Sequence, residues 1–449
     1  MNIKNINIIA KINTNFKYKL ILTIYILLLF LSNIFNTNIV YSNSENNNDS
    51  NLLEIDSKAA ILIDTKTNKI LYEKNSNKRM YPASTTKIMT AIIVLENSNL
   101  NDIVTASQNA VTFLGPEYSS ANIKYGEQLT ISQLLELLLV HSANDASLVL
   151  AEYIGGSINS FISIMNTKAY ELGLNNTNFT NTYGGHDENH YTTASDLSKI
   201  MKYCIKNENF RKLSSKASCS IPATNVSDVR QYNSTNELII PNTTNYYPYI
   251  TCGKTGFTTP AGECLVASSF KNDIELISIT LGGYTPSSRF KDTKKLLEYG
   301  YSNYSLRHII KENDLIANVE IPTSPITSEY LNLYSTKTIT TLLNNNIDIN
   351  NIEHTIILNP NISAPINTND ILGSASYIVD DKTYSIDLIS KNNLEKSMYF
   401  NYLIIISFIL LILLICITLW LITKFVLSKN RNVEKILTIN ESIKKTDNK

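Results

Sequence analysis

The chain has 449 residues, more than one ordinary domain needs, and 43% are apolar, so two domains with sizeable cores plus appendages are expected. Only 17% are charged, against about 25% in typical soluble domains. The 39 basic residues balance 39 acidic ones, which excludes a chain-wide basic field for nucleic acid.

At the N-terminus, Lys11, Lys17 and Lys19 precede the apolar stretch LILTIYILLLFL at residues 20–31. A basic flank followed by about a dozen apolar residues predicts a secretion signal over residues 1–42. Val40-Tyr41-Ser42 offers a small-residue cleavage site, and an uncleaved anchor is the other reading. Residues 43–52 form a polar linker. Folded sequence starts at Leu53. Short apolar runs at residues 58–64 and 70–74 flank Thr65-Lys66-Thr67-Asn68 and predict a β-hairpin. Helical patterns follow at residues 85–96, 131–140, 146–154 and 194–205. Strand-like runs return at 249–254, 262–270 and 274–281, before a helix at 289–299. Strands at both ends with helices between predict one sheet flanked by helices, an α+β domain over residues 53–304.

From about Ala317 the texture changes to short β-like runs at 317–321, 335–342, 354–358, 371–379 and 383–388. They predict a small all-β domain over residues 305–393, then a short stalk. Residues 402–422 are uncharged and long enough to cross a ~30 Å hydrocarbon core as a helix. Lys424, Lys429, Arg431, Lys435, Lys444 and Lys445 follow, giving a basic tail over residues 423–449. Lys and Arg favour the cytoplasmic side, so everything between the two apolar segments is expected outside.

Three motifs carry chemistry. Ser84-Thr85-Thr86-Lys87 sets Ser and Lys on one face of a first helical turn. A serine hydroxyl is a weak nucleophile until a base takes its proton, and a desolvated lysine near other cations can be that base. A helix start also offers free N–H groups to an oxyanion. Ser142-Ala143-Asn144 places a hydroxyl and an amide two residues apart on an expected loop between helices. Lys254-Thr255-Gly256 ends the predicted strand at 249–254; its lysine and hydroxyl can hold a carboxylate, and Gly256 admits a close backbone. Each motif alone is common, and helix capping explains the first two as well. The five cysteines (Cys204, Cys219, Cys252, Cys264, Cys416) have no metal or redox spacing. Cys252 and Cys264 fall on neighbouring predicted strands, where a disulfide and free thiols are both open. His186 and His190 are four apart like a zinc helix, but Asp187 stands where a metalloprotease needs Glu, and Gly184-Gly185 disfavours a helix start.

Taken together, in this order and with separations of 58 (84 to 142) and 112 (142 to 254) residues, the motifs resemble the signature set of penicillin-binding proteins and class A β-lactamases. Arg79-Met80-Tyr81-Pro82-Ala83-Ser84, the segment from Asp187 through His190 to Ala194, and Gly253 through Gly262 are similar to low-molecular-mass penicillin-binding proteins, the serine-type D-Ala-D-Ala carboxypeptidases. Ala364-Pro365 and Ile371-Leu372-Gly373 resemble the β-domain appended to that family. The resemblance implies a β-lactamase/transpeptidase-like catalytic domain, a stem-peptide substrate from peptidoglycan, β-lactams as covalent inhibitors, and no cofactor. It also implies roles. Ser84 would be acylated and Lys87 would be its base. Ser142 would relay a proton and Asn144 would orient the substrate amide. Lys254 and Thr255, followed by Gly256 and Phe257, would form the substrate strand, with the backbone N–H groups of Ser84 and Phe257 as the oxyanion hole. The family's Asn-Pro-His-Gly stretch reads Asn181-Thr182-Tyr183-Gly184 here, which leaves that loop's shape open, and the anchor is a full span rather than a surface helix. A β-lactamase is the enzymatic rival, without an evident deacylating glutamate; the other is a penicillin-sensing receptor or non-catalytic peptidoglycan-binding membrane protein, against which stand the full set of candidate catalytic residues and a tail too short for a signalling domain.

Overall fold

The computed structural model describes residues 53–112 and 118–446. The expected signal at 1–42 and linker at 43–52 lie outside the described residues. β1 (Ala59–Asp64) and β2 (Ile70–Lys74) form the hairpin. Asp64 closes its turn by accepting the Thr67 N–H at 2.6 Å, and Asn68 takes the left-handed conformation at φ 63°.

β3 (Ile250–Thr258), β4 (Gly262–Lys271) and β5 (Ile274–Gly283) complete an antiparallel sheet in the order β2-β1-β5-β4-β3. All six residues of β1 are buried, because both faces of the sheet are covered. The period of two divides its side chains: Ala59, Ile61 and Ile63 enter one apolar core, Ala60 and Leu62 the other. The first core holds the helices α1 (Lys87–Asn97), α2 (Ile131–Glu136), α3 (Asn144–Gly155), α4 (Ile158–Glu171), α5 (Ala194–Cys204) and α6 (Glu208–Ser214). The second holds α7 (Ser288–Asn303). Residues 87–94 of α1 are all buried, so this helix runs through the centre of its layer.

Several expectations are corrected. α4 and α6 were not foreseen. β3 continues to Thr258, so Lys254 sits inside the strand rather than at its end. Asn144 begins α3 instead of lying on a loop. Cys252 faces Ser268 and Cys264 faces Gly256 in the β3–β4 ladder, and the thiols of Cys204, Cys219, Cys252 and Cys264 are all buried and free of disulfides.

Beyond Asn303 the chain is β-structured. β6 (Tyr304–Ile310) pairs with β9 (Ile339–Asn344). A second sheet has the order β7 (Leu315–Ser324), β8 (Thr327–Ser335), β12 (Lys382–Ser390), β11 (Ile371–Val379), β10 (His354–Leu358). The single run expected at 335–342 is the end of β8 and the start of β9, separated by a turn without Gly or Pro. Leu333, Ala375 and Leu388 centre this domain's core. Leu342 instead joins Leu62, Leu71 and Leu276 under α7, and Lys69 pairs with Asp380 at 2.6 Å, so the two domains share a packed joint.

α8 (Tyr399–Thr446) is the C-terminal helix. Its residues 399–432 are long and apolar enough to cross a membrane, and none of its most apolar stretch is buried. The short segment expected between residue 393 and the helix is held against the β-domain. Leu394 bridges to Ile366, and the Ser397 N–H bonds to the Thr323 carbonyl at 2.9 Å, just before the helix starts.

Candidate active site

Ser84 lies in a tight 3-10 turn, Ala83–Thr86, that leads into α1. Ala83 takes a left-handed φ of 48°, which costs a residue with a Cβ about 1–2 kcal/mol. Close packing holds it there. A Cβ on Gly184 would lie 1.8 Å from the Ala83 carbonyl oxygen, and one on Gly256 would lie 2.9 Å from the Ser84 nitrogen. Two backbone segments therefore clamp the turn where no side chain would fit.

Lys87, on the first turn of α1, is fully buried. Its Nζ lies 2.7 Å from Ser84 Oγ, 2.6 Å from Asn144 Oδ1 and 2.9 Å from the Tyr183 carbonyl oxygen. The last two are pure acceptors. A neutral amine has two hydrogens and one lone pair, so two hydrogens go to Asn144 and Tyr183, and the lone pair faces the Ser84 hydroxyl proton. Burial holds the Lys87 pKa well below the ordinary lysine value, and the positive charge of Lys254 lowers it further; Asp145 acts in the opposite direction. Geometry and charge thus favour the form of Lys87 that accepts a proton.

Asn144 is held by its own N–H, which donates to the Ser119 carbonyl at 2.8 Å. Its neighbour Asp145 is buried and accepts from Ser120 Oγ (2.6 Å) and from the N–H groups of Ala121 and Ile123 (3.0 Å each). Asp145 was not singled out in the sequence, yet it fixes the segment that walls the site. Ser142 ends a π-type turn (Leu137–His141) in the left-handed conformation, φ 68°, and is 6% exposed. Among the described residues its hydroxyl makes no hydrogen bond to Ser84, Lys87, Asn144 or Lys254. The structure joins Ser84, Lys87 and Asn144 directly and leaves Ser142 beside them without a bond.

β3 is an edge strand, and it brings the third motif to the turn. Lys254 is 1% exposed, and its Nζ donates to the Thr255 carbonyl at 3.0 Å. Burial, then the nearby Arg289 charge, pushes its pKa down to about 7. Arg289 donates to the Gly256 carbonyl at 3.3 Å and pairs with Glu263. The Thr255 hydroxyl meets that of Thr235 at 2.5 Å, and the Thr235 N–H donates to the Val140 carbonyl at 3.1 Å, tying β3 to the turn before Ser142. Phe257 is 57% exposed at the rim.

A cleft of about 360 Å³ opens on Ser84, lined by Tyr118, Ser119, Asn144, Tyr183, Gly184, Gly185, His186, Phe257, Thr258 and Thr259. A larger crevice of about 470 Å³ between β2 and the β-domain contains the Lys69 and Asp380 ion pair but no nucleophile with a base. The loop from Asn181 to His186 was the doubtful stretch of the sequence. Asn181 Oδ1 accepts the N–H groups of Gly184 (2.7 Å) and Gly185 (2.9 Å), while its amide donates to the Gly185 carbonyl at 2.9 Å. This self-closed loop presents the Tyr183 carbonyl to Lys87. His186 packs edge-on against Tyr81, and both ring nitrogens of His190 are engaged by Thr86 and Thr180.

Residues 43–285 match the family described as D-alanyl-D-alanine carboxypeptidase, and residues 304–396 match the C-terminal domain of penicillin-binding protein 5. The chain is 31% identical to the D-alanyl-D-alanine carboxypeptidase DacF of Bacillus subtilis over 357 residues, 78% of this chain and 88% of that one. Among solved structures, the D-alanyl-D-alanine carboxypeptidase DacD of Francisella tularensis is 26% identical with a TM-score of 0.59, covering 77% of this chain and 95% of that one. The Streptomyces K15 DD-transpeptidase is 30% identical with a TM-score of 0.52, covering 56% of this chain and 98% of that one.

Proposed function

The chain belongs to the D-alanyl-D-alanine carboxypeptidase family, the low-molecular-mass penicillin-binding serine peptidases, and we propose that Ser84 is its acylated nucleophile. The observation that carries this reading is the Lys87 amine, wholly buried, 2.7 Å from Ser84 Oγ with its other two acceptors already placed.

The enzyme removes the terminal D-alanine of peptidoglycan stem pentapeptides. Ser84 Oγ attacks the carbonyl between the two D-alanines while its proton passes to Lys87 Nζ. The oxyanion is received by the backbone N–H groups of Ser84 and Phe257, which the missing Cβ of Gly256 allows to approach. The amide bond breaks, and the proton returns to the departing D-alanine nitrogen, with Ser142 as relay. Water then attacks the ester, restoring Ser84 and releasing the shortened peptide. One difficult substitution becomes two easier ones. Asn144 orients the substrate amide. Lys254 and Thr255 bind the terminal carboxylate. Penicillin enters as a substrate whose leaving group stays tethered, which leaves a lasting ester on Ser84. A β-lactamase or a penicillin-sensing receptor is not favoured, since both family matches run along a carboxypeptidase and its C-terminal domain.

Residues 53–304 act as the catalytic unit and 305–393 as its β-domain. α8 anchors the chain in the membrane. In this reading the signal at 1–42 directs export, residues 402–422 span, the basic tail stays inside and the catalytic domain faces outward. The test of function is release of D-alanine from a diacetyl-lysyl-D-alanyl-D-alanine peptide by the full-length chain in detergent. Ser84→Ala is expected to abolish it, and unchanged release by that variant contradicts the assignment.

A further inference from the structure

His190 is buried, lines no part of the cleft and has no role in the mechanism above. It is nonetheless joined to the turn that carries Ser84 and Lys87 and to the loop that carries the Tyr183 carbonyl. Its Nδ1 receives the Thr180 N–H at 3.0 Å, at the root of the loop that carries the Tyr183 carbonyl. Its Nε2 lies 2.8 Å from the hydroxyl of Thr86, between Ser84 and Lys87 in sequence. A backbone N–H cannot accept, so Nδ1 must be bare, the proton sits on Nε2, and Nε2–H donates to Thr86. Thr86 precedes α1 without making any side-chain capping bond, so its hydroxyl is not committed to the helix. The ring stands edge-on to Phe179 at 5.7 Å, and the charged or titratable groups bearing on it are Asp187 and His186. Burial drives its pKa down to about 4, in keeping with a neutral ring.

The segment around the imidazole is itself fixed. The His190 N–H donates to the Asp187 carbonyl at 3.0 Å, and two residues on, Thr192 exchanges backbone bonds with Met80 at 2.7 and 2.9 Å. The ring is thus a strut of set length between the turn that carries the nucleophile and the loop that supplies an acceptor to its base.

We propose that His190 is a positioning residue for acylation: by tying Thr86 to Thr180 it sets the separation between Lys87 and the Tyr183 carbonyl, and so the aim of the Lys87 lone pair at Ser84. It touches neither substrate nor reacting atoms. It acts through Lys87, so its loss should slow bond formation without weakening the initial complex. This inference rests on the assignment of Ser84 and Lys87 above.

The test uses the full-length protein in detergent and benzylpenicillin, separating the first-order acylation constant from the dissociation constant of the non-covalent complex. Thr86→Val removes the Nε2 partner with almost no change of shape. His190→Asn can keep the bond to Thr180 and loses the one to Thr86. Misplacement of a reacting group by a fraction of an ångström to one ångström is expected to lower acylation about ten-fold or more in each variant, with the dissociation constant changed less than about two-fold. The double variant should be no slower than the slower single one, since both cut the same tie. Thermal unfolding of each variant is followed in parallel. If His190→Asn does not fold, Thr86→Val carries the decision alone. Wild-type acylation in Thr86→Val, losses that multiply in the double variant, or an effect confined to the dissociation constant would each overturn the proposal. Failure of the wild type to form any ester on Ser84 would instead overturn the assignment on which it rests.

Discussion

At the scale of single residues, the proposed mechanism sets two buried lysines to opposite tasks: in it Lys87 must be neutral to take a proton, and Lys254 must be charged to hold a carboxylate. Each is buried and faces a cation: burial, then the Lys254 charge, holds Lys87 well below the ordinary lysine value, while burial, then the Arg289 charge, pushes Lys254 down to about 7. A base with a lowered pKa is charged only below that value. Carboxylate binding by free enzyme should therefore weaken as pH rises through about 7, giving kcat/KM a falling limb there. Arginine stays charged throughout, so Lys254→Arg should lose that limb from its pH–rate profile, whatever its absolute rate. A limb of unchanged position in Lys254→Arg would assign it to another group. Lys254→Ala removes a charge-assisted hydrogen bond worth about 1.5–3 kcal/mol, so one to two decades of kcat/KM should go. The eight candidate residues could be named from the sequence because each motif places its side chains within three or four positions, and of them the structure bonds Lys87 to Ser84 and to Asn144. The Tyr183 carbonyl could not be named: a main-chain acceptor carries no residue signature, and only the Asn181 clamp shows where it points.

At the scale of elements, the site is assembled where a turn, a loop and an edge strand meet too closely for side chains. This makes Gly184 a sharp test. Gly184→Ala must push a Cβ into the Ala83 carbonyl and also adopt a φ of 88°. Gly173→Ala carries a similar strain, φ 67°, but meets nothing within 4 Å. Gly173→Ala should cost about 1–2 kcal/mol by denaturant unfolding and leave penicillin acylation intact, whereas Gly184→Ala should lose acylation by about a hundred-fold or more. Equal acylation by the two would mean that the clamp on the nucleophile turn is unimportant. Element by element, buried strands and central helices were readable from apolar periodicity. α4 was missed although Ile158, Phe161, Met165 and Ala169 follow a helical spacing, because Ser, Asn and Thr between them lower helix propensity. The joint between β8 and β9 was missed because its turn has neither Gly nor Pro, so a Thr-rich, β-like run crossed it unbroken.

At the scale of the whole molecule, order along the chain gives the layout: catalytic domain, β-domain, apolar helix. The helix begins two residues after the last backbone bond to the β-domain, so, if it spans a membrane as proposed, the folded part sits close to that surface. Protease added to cells stripped of their wall should digest residues 53–393 and spare the basic tail; protection of the folded domains would reverse the proposed topology. Composition and charge made the outline visible, while the packed joint through Leu342 and the Lys69 pair with Asp380 was invisible, because it joins residues about 270 to 310 apart. The central claim, that Ser84 is the nucleophile served by Lys87, has one direct test. The full-length protein is incubated with penicillin, digested and mapped by mass spectrometry. A single penicilloyl ester on the peptide containing Ser84, absent in Ser84→Ala and nearly absent in Lys87→Ala, is the expected result. No adduct on the wild type, or an adduct that persists in Ser84→Ala, would contradict it.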